Sequence, residues 1–541
     1  MPQIVIERYD DFTGGLNLRA DQFQLSKSES PDMLNVEIDP RGGLFSRGAF
    51  REINTTAVSG TWAPKRLTWF KGSSQYLMLT TATSVYQGTG TNFTRLDFGS
   101  GTPIVSASTN GSSLAQWGDT MYMTTGVDGV ASYKWKVTDT YATALIASGP
   151  TWQTQLSPVG GYMPKAEHLI QHANKMFAAN INDNGTKYPN RLYWSHDALP
   201  TDWDSTNFIE FNGGGNGITG LASVAGHLVI FKPQSIYVLF GYDSTDHQVV
   251  ELSTNLGVDL PTHIASSEQG VYFYVGFKGL FYYNGNTVVD LFQNLKAVYP
   301  LGYINNNYSN KISVSYVNRR VWLAVPYSTG VAATEVTTDL IYDPSIGQNG
   351  SWNRLSSADG YGLVGGADFK TTAGVSVPVL MHPTLPRVLE VEVFSSETDF
   401  ISQAEANFET YYRTGWVDGN NYSMKKMFRR PDFVLKQVDT ERILNLKVFH
   451  NFEEAIGNER KNIDITLPAS ASGGAWGTSR QWGAMIWGSG AWGVPAQGAE
   501  VRRGSNLGLA RAVQLLFTGP VGGEWGIDSI AYKYNNRKVT G

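Results

Sequence analysis

One pattern of apolar and polar positions recurs along the chain, and it is the pattern of an antiparallel β-hairpin. Its clearest copy begins with an apolar segment, His227–Phe231, continues through Lys232–Ser235 and returns as Ile236–Phe240. β-branched and aromatic residues favour strands, and the proline in the intervening segment favours a turn. The pattern therefore predicts two antiparallel strands joined by a short turn.

Similar hairpins are predicted at five other places. The pairs are Gln75–Leu79 with Ser84–Tyr86, Thr120–Met123 with Ala131–Tyr133, Lys175–Ala179 with Arg191–Trp194, Val271–Val275 with Leu280–Tyr283, and Arg320–Val325 with Leu340–Tyr342. Their first strands begin roughly 40 to 55 residues apart, close to the period at which four-stranded propeller blades repeat. A helical solenoid could also repeat at this period, but helical spacing of apolar positions is scarce here.

The repeat predicts an all-β fold whose core is a β-propeller of six or seven blades. An isolated small sheet exposes both faces, whereas sheets packed face to face around an axis bury them and leave only short edges. Six hairpins supply six blades, and an extra or composite blade would make a seventh. The irregular period indicates inserted loops.

Three regions are predicted: an N-terminal arm at residues 1–60, the propeller at 61–395 and a C-terminal β-sandwich-like domain at 396–541. The arm is expected to lie extended, with one short helix from Ser30 to Val36, because Ser30 suits an N-cap and Pro31 the first helical position. Its apolar landmarks are candidate contacts to a neighbouring subunit: Phe12, Leu16, Met33, Leu34 and Phe45. A disordered tail is the alternative.

Four tryptophans in the C-terminal region, each followed by glycine, are further interface candidates. They are Trp476, Trp482, Trp487 and Trp492. Their spacing of five or six residues does not keep all four rings on one face of a strand. We therefore expect a long loop whose indoles dock into clefts of an adjacent subunit or of the same domain. Contact with carbohydrate is the third alternative.

Composition agrees with an all-β protein that has many tight turns. The chain has 541 residues, of which 58 are glycine and only 16% are charged, and its formal net charge is −5. This charge gives no global attraction to nucleic acid or to an anionic membrane. Cysteine is absent, which excludes disulfides, thiolate metal sites and cysteine nucleophiles. Neither a signal peptide nor a stretch of about 18 apolar residues is recognisable, so we expect neither secretion by that route nor a membrane span.

Candidate catalytic residues are few, and structural roles explain them better. His168 and His172 have a spacing that would suit metal binding on a helix, but the surrounding pattern indicates a strand. The segment Ser195–Trp203 resembles a structural turn of sialidase-type propellers, without its glycine. The carboxylate pairs Asp202 with Asp204 and Asp10 with Asp11 suit turn capping better than glycoside hydrolysis. We therefore expect no enzyme activity, cofactor or metal.

One dense basic run stands out in the C-terminal region. It consists of Lys425, Lys426, Arg429 and Arg430. Such a run could contact DNA or phosphate groups. A solvated rim, or ion pairs between subunits, is the alternative.

Several segments resemble structural proteins of tailed bacteriophages that have a propeller core, such as podovirus tail nozzles, packaged-DNA stabilisation proteins and minor tail proteins of long-tailed phages. The segments are Phe12–Asn17, Asp32–Glu37, Gly42–Gly48, Leu192–Ser195, Gly217–Leu221 and Leu228–Leu239. The resemblance covers the arm and much of the predicted propeller, about two thirds of the chain.

This resemblance implies a virion component that assembles in the host cytoplasm. Such a protein would form a homo-oligomer, a hexamer or a trimer, as a ring or tube at the distal end of the tail. It would contact other tail proteins or fibres, and it would lie on the path of exiting DNA. The alternatives are a glycan-binding or glycan-cleaving propeller of the host-recognition apparatus, and a plug that retains DNA through basic residues facing a central channel.

Overall fold

The computed structural model describes residues 4–536 apart from two longer segments, 145–162 and 468–499, and shorter gaps at 22–23, 99–101, 104–109, 128–129, 141, 184–185, 214, 216, 243–244, 299–302, 329–332, 372–373, 395, 420, 422, 437, 439–440, 504–505 and 521. The described chain is almost entirely β-structure. Its helices are short 3₁₀ turns at Pro261–His263, Gln293–Val298 and Asn306–Lys311. None of its helices is long and apolar enough to cross a membrane.

The arm consists of short strands. They are β1 (Val5–Tyr9), β2 (Gly15–Leu16), β3 (Glu29–Ser30), β4 (Asp32–Leu34), β5 (Val36–Ile38), β6 (Leu44–Ser46) and β7 (Ala49–Glu52). Of these, β2 pairs with β3 and β5 with β6, while β1, β4, β6 and β7 pair with distant parts of the chain. The predicted helix from Ser30 to Val36 is wrong. Ser30 does not cap a helix; its hydroxyl donates to the carbonyl oxygens of Asp32 and Arg413 at 2.9 and 2.7 Å. Pairing with a distant strand outweighs the local helix signal.

Three four-stranded antiparallel sheets follow the arm. Sheet 1 has β8 (Pro64–Lys71), β9 (Gln75–Thr81), β10 (Val85–Gly88) and β11 (Phe93–Arg95), and it is followed by a small ribbon of β12 (Asp97–Phe98) and β13 (Thr102–Pro103). Sheet 2 has β14 (Ser113–Trp117), β15 (Thr120–Thr124), β16 (Tyr133–Lys136) and β17 (Thr143–Ala144). Sheet 3 has β18 (Ala166–His172), β19 (Lys175–Asp183), β20 (Thr186–His196) and β21 (Leu199–Glu210). In each sheet the four strands pair in chain order.

The next three sheets repeat this arrangement. Sheet 4 has β22 (Gly220–Val224), β23 (His227–Phe231), β24 (Ile236–Phe240) and β25 (Gln248–Ser253). Sheet 5 has β26 (Ile264–Ser266), β27 (Val271–Val275), β28 (Gly279–Tyr283) and β29 (Val288–Asp290). Sheet 6 has β30 (Ser313–Val317), β31 (Arg320–Val325), β32 (Thr338–Asp343) and β33 (Ser351–Leu355). All six predicted hairpins are confirmed as the second and third strands of sheets 1 to 6.

Sheet 7 is composite. Its first three strands are β34 (Val364–Lys370), β35 (Ser376–Met381) and β36 (Val388–Val393), and the fourth is β7 of the arm. Arg51 lies opposite Glu390, and Glu52 lies opposite Leu389. The arm therefore supplies a strand to the last sheet of the series before the chain enters the first.

Neighbouring sheets are joined by apolar clusters. Sheets 3 and 4, for example, share a buried cluster that includes Phe177 and Ile230. Sheets 1 and 7 share another, with Leu79 of β9 and Val379 of β35, and strand β34 lies beside β8. Because both faces of these sheets pack against neighbouring sheets, most of their central strands are buried on both sides. Their almost continuous apolar sequences agree with this burial.

Sheet 7 continues beyond β7 with β37 (Asp399–Ile401), which pairs with β7 in parallel, and with β38 (Ala404–Ala406). The remaining strands form two larger sheets in which the arm takes part. They are β39 (Tyr411–Arg413), β40 (Lys426–Phe428), β41 (Asp432–Leu435), β42 (Arg442–His450), β43 (Lys461–Leu467), β44 (Glu500–Arg503), β45 (Gly508–Ala510), β46 (Val513–Thr518) and β47 (Gly526–Asn536). One sheet has the order β4-β39-β46-β42-β43; the other is centred on β47, which pairs with β1, β6, β40 and β41. The two share an apolar core in which the Phe433 and Phe517 rings lie 5.6 Å apart. The predicted region boundaries at residues 60 and 395 stay predictions.

Candidate functional site

The apolar landmarks of the arm lie mainly inside this chain. Phe12, Leu16 and Met33 are fully buried, and the Phe12 ring packs edge-on against Tyr412 at 5.5 Å. These three residues therefore do not form the expected surface for a neighbouring subunit, because the chain's own C-terminal strands cover them. Leu34 and Phe45 are half-buried. The four tryptophans predicted to dock into clefts, Trp476, Trp482, Trp487 and Trp492, lie outside the described residues.

The basic run divides into one buried and three exposed residues. Lys425, Arg429 and Arg430 are exposed. Lys426 is buried, donates to the carbonyl oxygens of Asn421 and Met424, and has its pKa lowered by burial. Lys426 is thus a structural residue and does not belong to the surface patch.

The two candidate histidines lie on one strand, β18, but they bind different partners. His168 Nε2 lies 3.1 Å from the carbonyl oxygen of Ile218, and His172 Nδ1 lies 2.8 Å from the hydroxyl of Ser223. Four residues along a strand separate the two by about 13 Å, too far for one metal ion. Burial lowers the pKa of both, that of His172 to about 4, so both are neutral at neutral pH. In the part of the chain that the structure describes, no group of three His, Asp or Glu side chains could hold a metal ion.

The candidate carboxylates include two turn caps. Asp11 accepts from the backbone nitrogen of Thr13 at 2.8 Å, and Asp204 accepts from that of Thr206 at 2.8 Å. Trp203 is fully buried, and its indole donates to the carbonyl oxygen of Pro200. Turn capping is therefore confirmed for Asp11 and Asp204.

A serine, a histidine and an aspartate meet between sheets 6 and 7, but not in the order that activates a nucleophile. His382 Nε2 lies 3.0 Å from Asp359 Oδ2, and the Ser357 hydroxyl donates to the same carboxylate at 2.6 Å. His382 Nδ1 accepts from the backbone nitrogen of Leu385. A general base must instead accept the proton of the serine hydroxyl. The group therefore ties loops together.

The main constellation of charged residues attaches the arm to the rest of the chain. We call it the clasp: Arg47 with Asp399; Arg320 with Glu37, Asp343 and Glu392; and Arg354 with Asp32. Sequence reasoning missed all three arginines as functional residues. The only available signal was the position of Arg47 within the glycine-rich segment Gly42–Gly48.

Arg47 forms the most buried part of the clasp. Its Nη1 and Nη2 atoms donate to the two carboxylate oxygens of Asp399 at 2.8 and 2.7 Å, and both side chains are 0% exposed. The guanidinium lies between the rings of Phe50 and Phe408, 3.9 and 3.7 Å from their centroids. A planar guanidinium suits such a bidentate, stacked position, which a lysine could not fill.

Arg320 joins the arm to sheets 6 and 7. Its Nη1 atom lies 2.9 Å from Glu37 Oε2 on β5 and 3.1 Å from Glu392 Oε1 on β36. Its Nε atom lies 3.0 Å from Asp343 Oδ2 on β32. One cation thus holds together side chains from three separate parts of the fold.

Arg354 makes the third attachment at the edge of sheet 6. Its Nη2 atom lies 2.9 Å from Asp32 Oδ1 on β4 and 2.5 Å from the hydroxyl of Tyr411 on β39. Asn35 reinforces the contact, since its backbone nitrogen donates to the carbonyl oxygen of Arg354 at 2.8 Å. The arm is therefore held between β33 and the C-terminal strands.

A second feature lies where the first strands of several sheets converge. Arg66 of β8 donates to the carbonyl oxygen of Pro261, just before sheet 5, at 2.8 Å. Burial lowers the pKa of His168 in sheet 3, and the charge of Arg66 adds to this effect. Arg66 itself has exposed surface, although surrounding protein desolvates it and lowers its pKa.

Comparison with known proteins gives no family assignment. No family model and no curated protein matches the chain. The extracellular domain of the one-component system BT4673 from B. thetaiotaomicron matches at 9% identity, with a TM-score of 0.37 over 77% of this chain and 47% of that one. The N-terminal domain of Nup159 matches at 10% identity, with a TM-score of 0.35 over 66% and 98%. The chain thus spans about half of the first of these structures, and likenesses this distant say nothing about function.

Proposed function

We propose that the seven sheets are the blades of a closed β-propeller, with the C-terminal strands and the arm forming a β-sandwich-like body beside blades 6 and 7. Apolar clusters between successive sheets, and between sheets 7 and 1, support this architecture. So does Arg66, which spans from sheet 1 to the entry of sheet 5. Strand β7 completes the last blade, which fastens the ring at its closing joint.

We propose further that the protein is a structural component of a bacteriophage tail. It would form an oligomeric ring or tube at the distal tail that connects tail parts or fibres and lies on the DNA exit path. The observation that carries this proposal is that the clasp is built from the same arm segments that resemble phage tail proteins. Asp32 and Glu37 belong to Asp32–Glu37, and Arg47 belongs to Gly42–Gly48.

The clasp gives these arm segments a mechanical purpose. Buried, bidentate ion pairs fix the geometry of the groups they join, and removing one partner leaves an uncompensated charge. A propeller whose closing strand is held in this way resists opening when its neighbours exert force on it. This property suits a component of a particle that must stay closed until DNA leaves.

Electron microscopy of phage particles tests the proposal. Gold-labelled antibodies raised against the purified chain are expected to label the distal end of the tail. In a separate measurement by light scattering, the purified chain is expected to form oligomers. Particles that lack the protein by mass spectrometry would contradict the proposal. Binding of host polysaccharide by a monomer absent from particles would favour the glycan-binding alternative.

A further inference from the structure

The joint around Arg320 contains more negative than positive charge. Three carboxylates, Glu37, Asp343 and Glu392, lie within 3.1 Å of the one guanidinium. The side chains of Glu37 and Glu392 are only 1% and 2% exposed. If all three were ionised, this buried joint would carry a net charge of −2.

No other described charge near the joint restores the balance. Arg47 is already neutralised by Asp399, and Asp368, which accepts from the backbone nitrogen of Asn318, is another carboxylate. Beyond it, Arg319 is exposed to solvent. An unbalanced charge away from water is costly, and a carboxyl group in that position takes up a proton instead.

Hydrogen bonding distinguishes the three carboxylates. Asp343 accepts from the backbone nitrogen and hydroxyl of Ser345 as well as from Arg320. Glu392 accepts from Asn318 and shares Nη1 of Arg320 with Glu37. Burial raises the pKa of Glu392 to about 7, with the charge of Glu37 adding to the rise and that of Arg320 opposing it.

We propose that docking of the arm onto sheets 6 and 7 takes up one proton, which Glu392 holds. Glu37, on the arm strand β5, is itself the third carboxylate that faces Arg320. Undocking the arm removes that carboxylate, so that only Asp343 still competes with Glu392 for Arg320 and Glu392 ionises more easily. This inference concerns the attachment of the arm and does not depend on a role in a phage tail.

The sign of the pH dependence follows from the raised pKa. A carboxyl group that binds a proton more tightly in the docked state stabilises that state fully at low pH. The stabilisation decreases as the pH rises from the ordinary glutamate value towards 7 and is lost above it. In that interval the docking constant is expected to fall by up to about tenfold for each pH unit.

A small cation is the competing source of positive charge. A cavity of about 10 Å³ lies beside Glu37, Arg320, Asp343 and Ser351, which is enough room for one water molecule. Among the residues that the structure describes, Glu37 Oε1 and the Ser351 hydroxyl have no hydrogen-bond partner. A sodium or calcium ion there would remove the need for a proton.

Urea unfolding of the full chain between pH 5 and pH 9 tests the proposal. The wild-type midpoint is expected to fall between pH 5 and pH 7 and to level off above pH 7, relative to that of Glu392→Gln, whose amide mimics the protonated carboxyl. The matched control is Glu335→Gln, which removes a carboxylate paired with Lys311 away from the joint. It is expected to keep the wild-type pH dependence.

Two results would overturn the proposal. One is a Glu392→Gln variant whose midpoint follows the same pH curve as the wild type. The other is full recovery of the wild-type midpoint at pH 9 by sodium or calcium chloride, with no recovery in Glu37→Gln, which would identify a cation instead of a proton.

Infrared spectroscopy provides a measurement that does not depend on the folding of a variant. With glutamate carrying carbon-13 at its carboxyl group, wild-type protein is expected to show the C=O band of a protonated glutamic acid at pH 6. The band should disappear by pH 9. The absence of any such band at pH 6 would contradict the proposal.

Discussion

At the residue scale, the arm is held by arginines whose partners lie hundreds of positions away in the sequence. Arg47 binds Asp399, 352 positions later, and Arg320 binds Glu37, 283 positions earlier. The value of such a pair lies less in its net free energy than in the penalty for breaking it, because desolvation of both charges offsets much of their attraction. The clasp therefore specifies geometry.

Replacement of Arg47 by methionine tests this view. It leaves Asp399 buried without its cation, so the free energy of unfolding is expected to fall by about 3 to 5 kcal/mol. The control is Arg41→Met, since the exposed Arg41 lies 3.8 Å from Asp39 and such surface pairs contribute at most about 1 kcal/mol. Urea unfolding at neutral pH measures both. Equal effects of the two replacements would contradict a special role for Arg47.

Some residues behave differently from what their position in the pattern indicates. Lys232 lies in the predicted turn of the clearest hairpin, yet it is fully buried and donates to Asn190 Oδ1 and to the carbonyl oxygen of Phe211 at 3.0 and 2.7 Å. It thereby joins sheet 4 to the end of sheet 3. Its partners lie 42 and 21 residues earlier, so local sequence could not reveal this role.

At the element scale, the hairpins could be predicted because each one is encoded within about 25 residues. Apolar alternation and a turn suffice when both strands are adjacent in sequence. Strand β7 could not be assigned in the same way, because its partner β36 begins more than 300 positions later. The erroneous helix at Ser30–Val36 has the same origin, since its strand partner is Tyr411–Arg413.

Gly48 marks the place where the arm approaches β36 most closely. A Cβ atom at this position would lie 2.7 Å from the carbonyl carbon and 2.9 Å from the Cα atom of Glu392. Because backbone cannot move aside easily, Gly48→Ala is expected to lower the free energy of unfolding by about 1 to 3 kcal/mol.

Gly415→Ala is the matched control for this replacement. Its added Cβ would meet only the Leu25 side chain, at 3.6 Å, which is an ordinary contact distance. Thermal unfolding of both variants is the measurement. A Gly48→Ala protein as stable as Gly415→Ala would mean that β7 does not lie against Glu392 as described.

At the scale of the whole molecule, one strand from the beginning of the sheet series pairs within the last sheet. Sheets 1 to 7 follow each other along the chain, and β7, which precedes sheet 1, lies between β36 and β37 in sheet 7. The apolar cluster joins sheet 7 to sheet 1, and the clasp holds the arm that supplies β7. If this joint opens, the proposed propeller loses its closure.

An engineered disulfide across β7 and β36 tests this closure most directly. Arg51 and Glu390 are directly opposed partners whose side chains meet at 2.8 Å, and the natural chain contains no cysteine. Opposed residues on antiparallel strands have Cα atoms about 4.5 to 5.5 Å apart, within the range that a disulfide spans. The control pairs Arg51→Cys with Glu251→Cys, on the edge strand of sheet 4.

Mass spectrometry of the oxidised, unreduced protein gives the answer. The combined variant Arg51→Cys and Glu390→Cys is expected to form an intramolecular disulfide in nearly every molecule, while the control pair stays reduced. A pair at positions 51 and 390 that remains reduced, or that forms bonds only between separate chains, would contradict closure of the sheet series by the arm.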